Sequence, residues 1–154
     1  MTGSPPRPEV AILVGLPGSG KTSFARARLA GHDHVSKDLM RSTRDRNARQ
    51  LALAGQALAA GRSVVVDNTN LRVADRAPLI VAARAAGADV VGYLFDATAK
   101  ECLARNRARE GKARVPDVAI HVARARLEPP TREEGFDALH IVHAEGGEFD
   151  IRDA

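Results

Sequence analysis

The residues Gly15-Leu16-Pro17-Gly18-Ser19-Gly20-Lys21-Thr22 fit the spacing Gly, four residues, Gly-Lys-Thr, and Ser23 continues them into a helix-compatible stretch. The apolar run Val10-Ala11-Ile12-Leu13-Val14 stands immediately before. Glycines at these positions permit a tight turn whose backbone N–H groups point inward at a phosphate. Lysine at this place reaches the β- and γ-phosphates of a nucleoside triphosphate, and the Thr22 hydroxyl can ligate Mg²⁺. The pattern therefore predicts a site for ATP or another triphosphate, built from Gly15, Pro17, Gly18, Ser19, Gly20, Lys21, Thr22 and Ser23.

Further along are residues that could act on that triphosphate. Phosphoryl transfer to an alcohol needs a carboxylate that accepts the hydroxyl proton, and Asp38 is a candidate for that base. Asp is equally a helix N-cap, and the two roles are compatible. Arg41, read as one helical turn later, either anchors a phosphate of the acceptor or is a solvated charge like Arg44, Arg46 and Arg49. Asp67 closes an apolar stretch, with Asn68 and Asn70 beside it as candidates for contacting substrate. Asp67 either holds Mg²⁺ through water or fixes Arg41 by a bidentate pair, and the pattern leaves both open. Arg105, Arg107, Arg109, Lys112 and Arg114 form a basic run. It reads as a lid that closes over the triphosphate, with Arg105 and Arg109 as nucleotide contacts, or as a solvated helix end. His140 and His143 are three apart in a strand pattern and face opposite ways; His32, His34 and His121 lack a partner at metal-ligand spacing, so all five read as structural. Cys102 reads as a buried structural thiol.

Strands and helices must alternate to position these groups. Apolar runs predict strands over residues 10–14, 34–36, 63–66, 89–95 and 136–142. Helical patterns fill residues 21–29, 38–60, 73–86 and 98–109, and Val118, Val122 and Ala125 share one face of a further helix before Pro129-Pro130. This is an α/β domain with a parallel sheet of about five strands flanked by helices. Ligands gather at the carboxyl ends of such strands, which brings together the loop at residues 15–22, Asp38 with Arg41, and residues 67–70.

The totals narrow the class. With 154 residues the expectation is one domain over residues 10–144, a flexible lead-in over 1–9 and a tail over 145–154. No apolar run approaches the roughly 20 residues of a membrane span, which argues against a membrane partner. A single cysteine excludes an internal disulfide framework and suits a cytoplasmic protein. A net charge of +4 favours a polyanionic partner, while 3% aromatic residues argue against a base-stacking platform.

Taken in order, several pieces resemble one family. Residues 15–22 are followed by Ser36-Lys37-Asp38 and Val66-Asp67-Asn68-Thr69-Asn70, then by Arg105-Asn106-Arg107-Ala108-Arg109, Val115-Pro116 and residues 128–136. This order resembles the 5′-kinase domain of polynucleotide kinases, of both the phage type and the animal type, over about residues 10–142. The resemblance implies the P-loop kinase fold with a short basic lid, ATP and Mg²⁺ as cofactors, and the 5′-hydroxyl end of DNA or RNA as acceptor. It implies that Lys21, Asp38 and Arg109 are catalytic, with Asp38 as base and Arg109 as the lid arginine on the transferred phosphate. It makes Arg41 the contact to an acceptor phosphate and Asp67 its supporting carboxylate. The chain departs from the family at Ser36-Lys37-Asp38, where Asn-Arg-Asp is usual. It also lacks the phosphatase domain, which implies that a phosphatase or ligase partner protein completes end processing. A small-molecule kinase, for a sugar, nucleoside or antibiotic, and an ATPase switch without acceptor are the competing readings.

Overall fold

The computed structural model describes residues 6–42 and 44–154. A run of apolar residues without polar alternation suits a strand covered on both faces, and β1 (Glu9–Val14) accordingly runs through the middle of the sheet. The remaining strands are β2 (Asp33–Val35), β3 (Val64–Asp67), β4 (Asp89–Phe95), β5 (Ala138–Glu145) and β6 (Glu148–Asp153), in the order β2-β3-β1-β4-β5-β6. The first five are parallel; β6 returns antiparallel along β5.

Alternate residues of β1 feed two cores. Val10, Ile12 and Val14 pack with Val64 and Val66 under α2 (Arg46–Ala59) and α3 (Val73–Ala85), through Ala54, Leu58, Leu79 and Ile80. Ala11 and Leu13 face α1 (Lys21–Arg28), where Phe24 meets Val65, Phe95 and Val142. A third cluster joins α4 (Ala99–Arg107) to α5 (Asp117–Arg126) beneath Leu16 of the phosphate-binding loop, through Cys102, Ile120 and Ala123. No described helix is long and apolar enough to cross a membrane.

Three expectations are corrected. The helix expected over residues 38–60 begins only at Arg46. Residues Lys37–Leu39 form a single 3₁₀ turn, Met40 is extended and buried, and Asp45 at φ 52° starts α2. Charged residues between 41 and 49 permitted helix locally, but burying Met40 against the sheet requires the chain to straighten there. Asp38 therefore does not cap α2, and Arg41 is not one helical turn beyond it. On α5 the buried residues are Ile120 and Ala123, whereas Val118 and Val122 are 64% and 41% exposed. Both faces of that helix carry apolar side chains at helical spacing, and only packing against α4 chooses between them.

The third correction concerns the expected tail. Gly146 and Gly147, both at positive φ, make the two-residue turn that lets β6 fold back on β5. Phe149 of β6 then meets the Phe24 ring edge-on at 5.3 Å, joining Tyr93 and Phe95 in one aromatic cluster. Charged residues along the outer edge of β6 discourage further strand pairing. The fully buried Phe24 should lose about 3–5 kcal/mol of stability on change to Ala. The half-buried Phe149 should lose about half as much, both measured by urea unfolding.

Candidate active site

The loop between β1 and α1 has the backbone its glycines predict. Gly18 and Gly20 stand at φ 81° and 99°. A Cβ on Gly18 would come 2.9 Å from the Cys102 carbonyl oxygen, and one on Gly20 would come 2.8 Å from the Ala144 Cβ. Neither position admits another residue without movement. Gly20 is the N-cap of α1, with no side-chain cap and no acidic residue in the first turn. The amide groups and positive dipole end of α1 therefore remain available to an anion.

Lys21 lies folded over this loop. Its Nζ donates to the Gly15 and Leu16 carbonyls at 2.9 and 2.7 Å and to Ser19 Oγ at 3.3 Å. Burial lowers its pKa from 10.5 to about 8, against the opposing charges of Asp67 and Asp38 and with that of Arg109. Pro17 and Ser23 lie on the outer side of the loop and helix start, half-buried and exposed respectively.

Asp67, at the carboxyl end of β3, is 5% exposed. Its Oδ2 accepts from Thr22 Oγ1 at 2.7 Å and from His34 Nε2 at 2.8 Å. The expected pairing of Asp67 with Arg41 is not formed: Asp67 is engaged by Thr22 and His34, and Arg41 is exposed, in the lining of a cavity that it shares with His34. The extended backbone at Met40 carries Arg41 away from β3. His34, read as partnerless from sequence, belongs to this site. In the β2–β3 register it stands beside Val65, and so shares a face with Asp67 two residues on. That register was the missing signal. The exposed Thr22 hydroxyl and the buried Asp67 carboxylate offer hard oxygen donors, the chemistry that suits Mg²⁺.

Asp38 is exposed, on the 3₁₀ turn whose start is fixed by Ser36 Oγ accepting from the Asp38 amide at 3.2 Å. Asn68 braces the same turn: its Oδ1 accepts from the Lys37 amide at 2.9 Å and its Nδ2 donates to Gln50 Oε1 at 2.5 Å. Asn70, at φ 45°, donates from Nδ2 to the Leu13 carbonyl at 2.7 Å. The amides of both asparagines, expected as substrate contacts, are thus engaged within the protein. Next to the turn bearing Asp38 opens a cavity of about 690 Å³, whose lining includes Arg41, Arg44 and Arg49 together with Leu39, Met40 and Leu53.

On the opposite side of the loop, Arg105 Nη1 donates to the Gly18 carbonyl at 3.1 Å and Nη2 to the Ala144 carbonyl. The expected helix over residues 98–109 ends at Arg107, which leaves Arg109 half-buried in the loop beyond. Asn106, fully buried, closes the base of that loop by pairing with both backbone groups of Val115 at 2.7 and 3.0 Å. Cys102 is fully buried and burial pushes its thiol pKa up, as befits an inert core residue. His140 stacks on Tyr93 and His143 faces Asp96, and no cluster of metal-ligand side chains occurs among the described residues.

Two outcomes follow from this geometry. A polyphosphate beside the Lys21 ammonium raises its pKa above the value of about 8, so binding takes up a proton above that pH. Nucleotide affinity should weaken as pH rises through 8 and beyond, and Lys21→Met should bind weakly with no such inflection, as read by calorimetry in two buffers. Changing His34 to Phe should release Asp67 and weaken Mg²⁺-dependent nucleotide binding by about 10- to 100-fold, while metal-free binding changes little.

Comparison with known proteins agrees with this geometry. Residues 10–130 match the family described as AAA domain. The chain is 28% identical over 141 residues to a bifunctional polynucleotide phosphatase/kinase of Schizosaccharomyces pombe, and 30% identical over 146 residues to a putative one of Acanthamoeba polyphaga mimivirus. These alignments span 87% and 90% of this chain but 33% and 34% of the relatives, so the chain spans about a third of their length. Among solved structures, Chaetomium thermophilum Kti12 in complex with ADP-AlF3 superposes with a TM-score of 0.69 at 19% identity, covering 87% of this chain and 88% of that one. A gluconokinase from Sinorhizobium meliloti gives 0.60 at 23% identity, covering 89% and 83%. The nucleotide-holding loop between β1 and α1 thus lies in a recognised setting: the chain belongs to the AAA-domain family and has the P-loop kinase fold.

Proposed function

We propose that the protein is an ATP- and Mg²⁺-dependent kinase that phosphorylates the 5′-hydroxyl end of DNA or RNA. The observation that carries this reading is the cavity beside Asp38. Its lining combines three arginines with Leu39, Met40 and Leu53, a mixture that suits a chain of phosphates and bases. A sugar acceptor calls instead for a lining of carboxylates and amides, and among the described lining residues Asp45 is the one carboxylate. The names of the two curated relatives point the same way. We propose that the reaction runs in the cytoplasm, where a phosphatase or ligase prepares or joins the ends.

In this reading the loop amides and Lys21 hold the triphosphate and offset its charge. Thr22 and Asp67 would hold Mg²⁺, which supplies charge neutralisation at the β- and γ-phosphates. Asp38 accepts the proton of the 5′-hydroxyl as that oxygen bonds to the γ-phosphorus and the bond to the β-phosphate oxygen breaks. Products are ADP and a 5′-phosphorylated end. Arg109 stabilises the charge on the migrating phosphoryl group, and Arg41 contacts a phosphate of the acceptor.

The test is transfer of labelled γ-phosphate to 5′-hydroxyl DNA and RNA oligonucleotides beside a panel of sugars and nucleosides. Oligonucleotides should be the good acceptors, with KM rising steeply with salt as released counterions require. Asp38→Asn should keep nucleotide binding and lose transfer by roughly 10²-fold or more. Transfer to a small sugar alone, or hydrolysis without any acceptor, would overturn the reading.

A further inference from the structure

One charged residue is buried where the chemistry above does not use it. Arg76 of α3 is fully buried and is among the largest side chains so enclosed. An ion removed from water this completely is retained only with a full set of partners. Arg76 has such a set. Its Nε donates to Glu134 Oε1 at 2.8 Å, Nη2 to Glu134 Oε2 at 3.1 Å, and Nη1 to the Asn70 carbonyl at 2.8 Å. Glu134 is oriented in turn by the Thr131 amide, which donates to its Oε2 at 2.8 Å.

The third of those bonds leads into the site. Asn70 holds a left-handed backbone and its side chain donates to Leu13, the penultimate residue of β1. One residue earlier, the Thr69 carbonyl accepts from the Gly15 amide at 3.1 Å, the first residue of the phosphate-binding loop. Earlier again, Asn68 braces the turn bearing Asp38, and Asp67 holds Thr22 and His34. Residues 67–70 are therefore the common reference of the nucleotide side and the Asp38 side. Segment 128–134 runs along their far side, with the Glu128 amide donating to the Leu71 carbonyl at 2.8 Å and Glu128 Oε1 accepting from the Val73 amide.

We infer that the Arg76–Glu134 pair is a positioning device: Glu134 aims the guanidinium at the Asn70 carbonyl and thereby fixes the distance between the phosphate-binding loop and Asp38. Its kinetic consequence rests on the kinase reading above; its structural consequence does not. A pair that only stabilised the core could be exchanged for apolar side chains of similar volume without harm. A positioning pair could not, because Asn70 would lose its donor.

The test compares wild type, Arg76→Lys and the double variant Arg76→Met with Glu134→Leu. The double variant should unfold at a temperature close to wild type, yet show kcat for 5′-hydroxyl transfer lower by about 10- to 100-fold with nucleotide KM within about threefold. Hydrogen exchange at the Gly15 amide should quicken by about tenfold or more, with the amides of β1 and β4 unchanged. Arg76→Lys keeps a cation for Glu134, and so the fold, but loses the planar fork that reaches Asn70. It should show the same loss of kcat and the same faster exchange, which keeps the test decisive if the double variant does not fold. Wild-type kcat and wild-type exchange in a folded variant would overturn the inference. Absence of 5′-hydroxyl transfer in wild type would overturn the kinase reading alone, with the exchange measurement still judging the pair.

Discussion

The site depends on one carboxylate oxygen. Asp67 Oδ2 is shared by the first turn of α1 through Thr22 and by β2 through His34, so β3 is joined at one atom to two elements far from it in sequence. The sharing is possible because β3 lies between β1 and β2 and ends level with the phosphate-binding loop. A carboxylate this buried needs hydrogen-bond donors, and these two meet that need while leaving the Thr22 hydroxyl at the mouth of the loop. The strand order thus turns an ordinary strand-end aspartate into an organising group.

Around the loop between β1 and α1 the protein concentrates positive charge. Lys21 is buried against loop carbonyls, Arg105 is tied to Gly18 and Ala144, and Arg109 approaches from a loop closed at its base by Asn106. Lys21 and Arg105, fixed by neutral carbonyls and in no ion pair among the described residues, keep much of their field for an incoming anion, although Asp67 and Asp38 act on Lys21 from farther off. Asp38 has no side-chain partner among the described residues, while the backbone beneath it is braced by Ser36 and Asn68. A free carboxylate on a fixed turn is suited to receiving a proton. The same bracing explains why the asparagines of residues 67–70 serve as scaffold: their amides satisfy backbone groups that would otherwise be buried unpaired.

The carboxyl-terminal hairpin links fold and site as well. Ala144 sits against Gly20 and supplies a carbonyl to Arg105, while Phe149 completes the aromatic packing over Phe24 of α1. Segment 145–154 has few apolar residues, so its contribution is legible only when β5 is there to pair with it.

Much of this was written in the chain. The loop at residues 15–22, the strands of continuous apolar residues and the α/β alternation follow from local rules, because glycines at fixed spacing permit the left-handed turn and runs of β-branched apolar residues favour buried strands. Asp38 and Asp67 were legible as strand-end carboxylates for the same reason. The tertiary structure alone decided which partners they have. Helical spacing allowed Arg41 to follow Asp38 and allowed Val118 to face the core, but burial of Met40 and of Ile120 excluded both. His34 joined Asp67 through strand register, and Arg76 found Glu134 through the packing of α3, relations that exist only between segments far apart in sequence. Local preference determines the backbone of each element; long-range burial and pairing determine which side chains meet.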